Sequence, residues 1–173
     1  GALGNAWFVD KVDLVENADQ EMVELGGLTD ARSRAITQKK NAGYLEGLSN
    51  TSAQGDFIRL TAYHPEKLTY ESKAAAERFA VFSEIYYPPH KGWNVYIDGQ
   101  KVDQSFIKVN YLLRGMRIPA GAHTIEFVFE PRSHAIGETV ALIASLLIFA
   151  FFGFAAWNAI QNPLVEEKIE EEA

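Results

Sequence analysis

Apolar and polar positions alternate along most of this chain and then stop alternating. From Thr139 to Trp157 the sequence reads TVALIASLLIFAFFGFAAW, nineteen residues without a charge and with Ser145 as the one strongly polar intruder. At about 1.5 Å per residue this run makes roughly 28 Å of helix, the thickness of a bilayer's hydrocarbon. A core helix of a soluble protein is the alternative, but such a helix carries a polar stripe and this run has none. The pattern therefore predicts a membrane-spanning helix over 136–160, preceded by a domain over 1–135 and followed by a short acidic tail over 161–173.

Upstream, the period is two. Ala6 to Val9 reads as a strand that Val12 and Leu14 continue. Asn17 offers an N-cap with Gln20 three residues on, Ala18, Met22 and Leu25 follow at helical spacing, and Gly26-Gly27 closes a short helix. Ala35 to Thr37 and Tyr44-Leu45 are weaker strand candidates. Phe57 to Tyr63 and Leu68 to Ser72 alternate around the turn His64-Pro65-Glu66-Lys67, as antiparallel neighbours do. Arg78 to Phe82 is almost continuously apolar, which suits a central strand. After the break at Pro88 to Gly92, Trp93, Val95 and Ile97 share one face and Asn94, Tyr96 and Asp98 the other, with a tight turn at Asp98-Gly99. Ile107, Val109, Tyr111 and Leu113 repeat the period, and Pro119-Ala120-Gly121 turns into Ile125, Phe127 and Phe129. About eight short strands and one confident helix predict a mainly β protein, an antiparallel β-sandwich with one short N-terminal helix.

Composition narrows the function. Of the net charge of −7, three units fall on residues 1–138 and four on the tail, where Glu166 and Glu167 begin an acidic run. Such a surface repels phosphate backbones, so nucleic acid is excluded as an expected partner. Cysteine is absent, which removes disulfides and thiolate metal sites. The amino terminus lacks a charged segment followed by a short apolar core. The expectation is thus that an upstream transmembrane portion of a longer protein delivers the domain to the membrane.

A set of short motifs carries a resemblance. Gly4 to Val9, the run Val81-Phe82-Ser83-Glu84-Ile85-Tyr86-Tyr87-Pro88, Gly92-Trp93 with Ile97-Asp98-Gly99, and Ile118 to Ile125 ahead of Pro131 resemble the carboxy-terminal part of YfhO-like bacterial membrane proteins. The resemblance implies a multi-pass protein of the inner membrane with an extracytoplasmic, periplasmic β domain and a last helix returning inward. It also implies kinship with membrane-embedded glycosyltransferases that use lipid-linked sugars on cell-envelope polymers. Catalytic carboxylates of such enzymes would lie in early loops that have no counterpart here, so the chain is expected to be non-catalytic. The link Pro89-His90-Lys91 and the acidic tail depart from the pattern.

No cofactor is expected. The four histidines, His64, His90, His123 and His134, stand apart without ligand spacing, and no metal site is predicted. His123, following the Pro-Ala-Gly turn, is expected to bond its own hairpin. Glu84 and Asp98 form the only carboxylate pair to consider for acid-base work, and Asp98 is needed by its turn. Tyr86, Tyr87, Trp93 and Tyr96 fall within eleven residues, beside Glu84, His90 and Asn94. Aromatic faces with polar neighbours suit sugar rings. Trp93 belongs with the core by its face, which leaves Tyr86, Tyr87, Tyr96, Glu84, His90 and Asn94 as candidate glycan contacts, against packing and loop structure as the alternative role. The expected partners are the lipid bilayer, the upstream membrane portion, and a glycan or lipid-linked sugar. A structural module binding protein subunits of an envelope complex is the alternative.

Overall fold

A computed structural model describes residues 3–103 and 106–161, without the side chains of His90, Arg132, His134 and Ala135. The acidic tail lies outside the described residues. The chain divides into two compact units, residues 1–131 and 132–173.

The first unit is mainly β, as its alternation predicts. One antiparallel sheet has four strands, in the order β1 (Ala6–Val9), β6 (Arg78–Ile85), β10 (Leu113–Ile118), β9 (Ile107–Val109). A second has five, in the order β4 (Phe57–His64), β5 (Lys67–Ala74), β11 (Gly121–Phe129), β7 (Trp93–Ile97), β8 (Gln100–Val102). Inward side chains of both sheets form one core: Ala6, Ala80, Phe82, Met116 and Ile118 from the first meet Leu68, Tyr70, Val95, Ile125 and Phe127 from the second. Tyr70, Phe82 and Phe127 pack edge to face at 4.9 to 5.9 Å between centroids, which adds to the stabilisation from their buried area.

The four-stranded sheet is covered on its other face too. Phe79, Val81 and Val109 turn away from the sandwich and join Val9, Ala35 and Ile107 in a second cluster, against which Tyr44, Leu45 and Leu48 pack. Strand β6 is thus buried on both faces, which accounts for its continuous run of apolar residues.

Four local expectations are corrected by the structure. The run from Ala6 to Leu14 is two strands: β1 pairs with β6, while β2 (Lys11–Val15) pairs in parallel with β3 (Arg34–Gln38). A parallel pair needs a crossover, and α1 (Ala18–Gly26) supplies it, so the antiparallel expectation fails at this one pair. Tyr44-Leu45 is not a strand but ends a single helical turn, α2 (Ala42–Leu45), that lays both side chains on the second cluster. The alternation from Ile107 to Leu113 is a hairpin, because Asn110 and Tyr111 both take positive φ, 47° and 65°, and reverse the chain. Asn110 is fixed there by a reciprocal pair of 2.8 Å bonds with the backbone of Ile36.

Helix α1 starts as its sequence dictates. The Asn17 side chain accepts from Gln20 N at 3.0 Å, and the Gln20 side chain reaches back to Glu16 N at 2.9 Å. From its inner face the fully buried Glu21 accepts from Gln38 Nε2 and Tyr111 N, both at 2.8 Å, and so ties the helix to β3 and to the β9–β10 turn.

The second unit is α3 (Arg132–Gln161). Its segment Ile136–Gln161 is 26 residues long and apolar enough to cross a membrane, and none of it is buried. Ser145 Oγ donates to Ala141 O at 2.8 Å, so the hydroxyl in the middle of the uncharged run is satisfied inside the helix.

Candidate functional site

The strand β6 orders the first unit into two ends. At its Ile85 end the chain gathers aromatic side chains, and at its Arg78 end, seven residues and about 23 Å away, it opens a polar cleft.

The residues singled out in the sequence distribute over the aromatic end and do not form one constellation. Tyr96 Oη donates to Glu130 Oε2 at 3.1 Å and Asn94 Nδ2 donates to the same oxygen at 2.6 Å, on the outer face of the five-stranded sheet. The bond from Tyr96 to Glu130 raises the phenol's pKa. Tyr86 packs on the inter-sheet core with its ring edge to Phe106 at 5.8 Å, and burial raises its pKa. Tyr87 stands beside Phe129, half-exposed, with ring centroids 6.5 Å apart. His90 lies in the 3-10 turn Pro89–Lys91, and its side chain is outside the described set.

Glu84 shares the inward face of β6 with Phe82. Burial lifts its carboxyl above the ordinary range, with Arg114 drawing it partly back. Arg114 is 3% exposed and held by stacking: its guanidinium lies 4.4 Å from the Trp93 ring centre, 5.3 Å from Phe127 and 5.5 Å from Phe106. Its Nε donates to Ile85 O at 3.0 Å, while Arg114 Nη1 and the buried Tyr70 Oη have no hydrogen-bond partner among the described residues.

Glu84 and Asp98 do not make a catalytic pair. Glu84 acts on the arginine at the Trp93 end of β7, and Asp98 closes the other end, five residues or about 16 Å further, beyond the 5 to 9 Å such chemistry needs. Asp98 is engaged by its turn: it accepts from Thr124 N at 2.8 Å and meets His123 Nδ1 at 2.7 Å. His123 Nε2 lies 3.0 Å from Ala120 O, so both ring nitrogens face acceptors, as the cationic imidazolium requires. The contact with Asp98, then the Ala120 carbonyl, raises the imidazole pKa, and the same contact lowers that of Asp98. The expected hairpin bond of His123 is present.

The cleft at the opposite end is one that sequence reasoning missed. It has a volume of about 580 Å³, with Trp7, Phe8 and Phe57 among its walls and Asp10, Asp30 and Arg32 at its lip. Its floor is Arg78, whose side chain is 4% exposed. Arg78 donates to Asp56 Oδ2 at 3.0 Å, Asp10 Oδ1 at 2.8 Å, Val9 O at 3.3 Å and Asn50 Oδ1 at 3.3 Å, and its guanidinium lies 5.2 Å from the Phe8 ring centre. Asp56 also accepts from Ala75 N at 2.9 Å and Ala53 N at 3.1 Å. Burial raises its carboxyl's pKa, and these backbone bonds with the one from Arg78 more than offset that, leaving it below the ordinary value. Asp30 is bonded by Ser33 Oγ. The Arg32 guanidinium is exposed and pairs with no carboxylate among the described residues. Asp56 and one oxygen of Asp10 are therefore taken by a structural arginine, and what the cleft offers a ligand is aromatic wall, one cation, the second oxygen of Asp10 and the exposed carboxylate of Asp30, which already accepts from Ser33 N and Oγ.

Fold, helix and cleft together define a class: a β-sandwich module joined to one helix long and apolar enough to cross a bilayer. No protein-family model, curated protein or solved structure matches the chain.

Proposed function

We propose that this chain is the membrane-anchored, non-catalytic β module of a YfhO-like glycosyltransferase of the inner membrane, holding an envelope glycan on the periplasmic side near a lipid-linked donor. The observation that carries the reading is α3, whose 26 residues from Ile136 to Gln161 carry a single charge, Glu138, and no buried side chain, a surface that only lipid or other apolar helices satisfy. The ligand class rests on the cleft. Its 580 Å³ falls in the range of small-molecule sites, and aromatic walls with a lip of charged donors and acceptors suit a sugar's apolar faces and hydroxyl rim. The motifs that resemble the YfhO-like proteins support the parent enzyme, whose upstream membrane portion would supply the chemistry.

The test uses the full chain in lipid nanodiscs, with saturation-transfer NMR against N-acetylhexosamine and hexose oligomers. Binding that weakens in Arg32→Ala and Asp30→Ala supports the cleft. Binding that survives both but is lost in Tyr96→Ala moves the glycan to the aromatic end. No binding in any form, together with co-purification of stoichiometric subunits, replaces this reading by the partner-binding module.

A further inference from the structure

Among the described residues of the first unit, nine large apolar or aromatic side chains are exposed, and six of them, Tyr63, Ile85, Tyr87, Tyr111, Leu112 and Phe129, collect at one end. The pairing of strands brings them there. Leu113 is opposite Ile85, Tyr86 N donates to Leu112 O at 2.7 Å, Tyr87 touches Phe129, and Tyr63 is opposite Leu68, whose other neighbour is Phe127. Ile85 is 65% exposed, Tyr63 63% and Leu112 50%, an amount of apolar rim that water alone does not favour.

The same end is where the chain leaves for α3. Glu130 N donates to Gly92 O at 2.7 Å, and Gly92, at φ +129°, lies so close to Pro131 that a Cβ there would come within 3.1 Å of it. The exit is thus pinned beside Trp93 and Phe129. Helix α3 begins at the next residue, and its membrane-compatible segment begins at Ile136, four residues or about 6 Å along the helix. The headgroup zone of a bilayer is about 5 to 7 Å deep on each side. The exit beside Trp93 and Phe129 is thus only four residues of chain from a segment that can enter a bilayer, at whose interface aromatic side chains with a polar edge are favoured.

We infer that the rim is a lipid-contacting surface: Ile85, Leu112, Tyr87 and Phe129 sit among the phospholipid headgroups of the bilayer that α3 crosses. The inference rests on the membrane reading of α3 and adds that the β domain lies on the bilayer instead of standing off it. Its occupant is phospholipid, since only four residues, 132–135, separate the exit at Pro131 from the segment that can cross a bilayer.

The chain contains no cysteine, so single cysteines report one place each. Ile85→Cys and Leu112→Cys on the rim, Val23→Cys on α1 as a still more exposed control, and Ile148→Cys in α3 would carry an environment-sensitive fluorophore. The labelled full chain goes into phosphatidylcholine–phosphatidylglycerol vesicles containing either a headgroup nitroxide or a deep acyl-chain nitroxide, after circular dichroism has matched each variant to the parent. Headgroup nitroxide should quench positions 85 and 112 about twofold more than position 23, and the deep nitroxide should quench position 148. Quenching at 148 with positions 85 and 112 no different from 23 overturns the inference and leaves the helix in the membrane. Protection of 85 and 112 from aqueous iodide without lipid quenching overturns it in favour of another protein chain. Lack of quenching at 148 removes the membrane reading, and this inference with it.

Discussion

Two buried arginines of equal exposure, Arg78 and Arg114, both 3%, are expected to respond oppositely to the same substitution. Methionine keeps most of the stem and removes the guanidinium. At position 78 the change strips the counter-charge from Asp56, whose side chain is 7% exposed, and removes four hydrogen bonds that join β1, β6 and the 50–56 loop. Breaking a buried pair from one side costs about 3–5 kcal/mol. Asp56 retains two backbone donors and Asp10 is 54% exposed and can rehydrate, so the lower end applies, about 3 kcal/mol. At position 114 no carboxylate lies within ion-pair distance among the described residues, one N–H is unpartnered, and the lost bond frees only the carbonyl of exposed Ile85. The lost cation–π contacts, about 1–2 kcal/mol, are offset by relief of the guanidinium's desolvation, and Arg114→Met should cost less than about 1 kcal/mol. Urea unfolding of the full chain in mild detergent, followed by tryptophan fluorescence, gives both numbers. A double-mutant cycle of Arg78→Met with Asp56→Ala isolates the pair. Equal losses at the two positions, or a coupling below about 0.5 kcal/mol in the cycle, would refute the reasoning.

Three further outcomes are expected. Gly115→Ala should destabilise by about 3 kcal/mol in the same assay, because a Cβ there would stand 2.6 Å from Phe79 Cζ and 2.7 Å from Val109 Cγ1, both fully buried; a variant as stable as the parent would contradict the packing. His123, its pKa raised by Asp98, should contribute stability that is fully present below about pH 6.5 and lost as pH rises through its folded pKa, and an NMR titration placing that pKa at or below 6.5 would contradict the contact. Asp56, held below the ordinary carboxylate value, contributes above about pH 3.8 and loses that contribution as pH falls through its folded pKa. Melting of Asp56→Asn should therefore depend less on acid than the parent's, and parallel curves would count against the assignment.

What the sequence makes legible is whatever is encoded within a few residues. The cap at Asn17, the turn at Asp98-Gly99, the two-faced strand from Trp93 to Ile97 and the uncharged run of α3 are all local patterns, and each is present as read. The parallel β2–β3 pair escaped because its evidence is the topology of the crossover, not the composition of either strand. Tyr44-Leu45 escaped because a single helical turn is too short to show a period.

The cleft was illegible for a related reason, and its chemistry follows from that. Arg78 meets Asp56 across 22 residues, Asn50 across 28 and Asp10 across 68, and no spacing rule links four positions on separate strands and loops. One clue was available: an arginine opening a strand whose next four residues are all apolar must be paired where it is buried, which asks for carboxylates at the same end of the sheet. Once those are found, their role is settled by arithmetic of bonds. Asp56 accepts three bonds, from Arg78, Ala53 and Ala75, and its side chain is only 7% exposed, so it is committed to the fold and closed to a substrate. Asp98 is likewise occupied by Thr124 and His123 at the far turn. The carboxylates most buried or best positioned in this domain thus hold the backbone, and the groups left facing solvent in the cleft, Arg32 with the outer edges of Asp10 and Asp30, are those of a surface that binds. On the reading proposed above, such a surface would hold a glycan and not make or break its bonds.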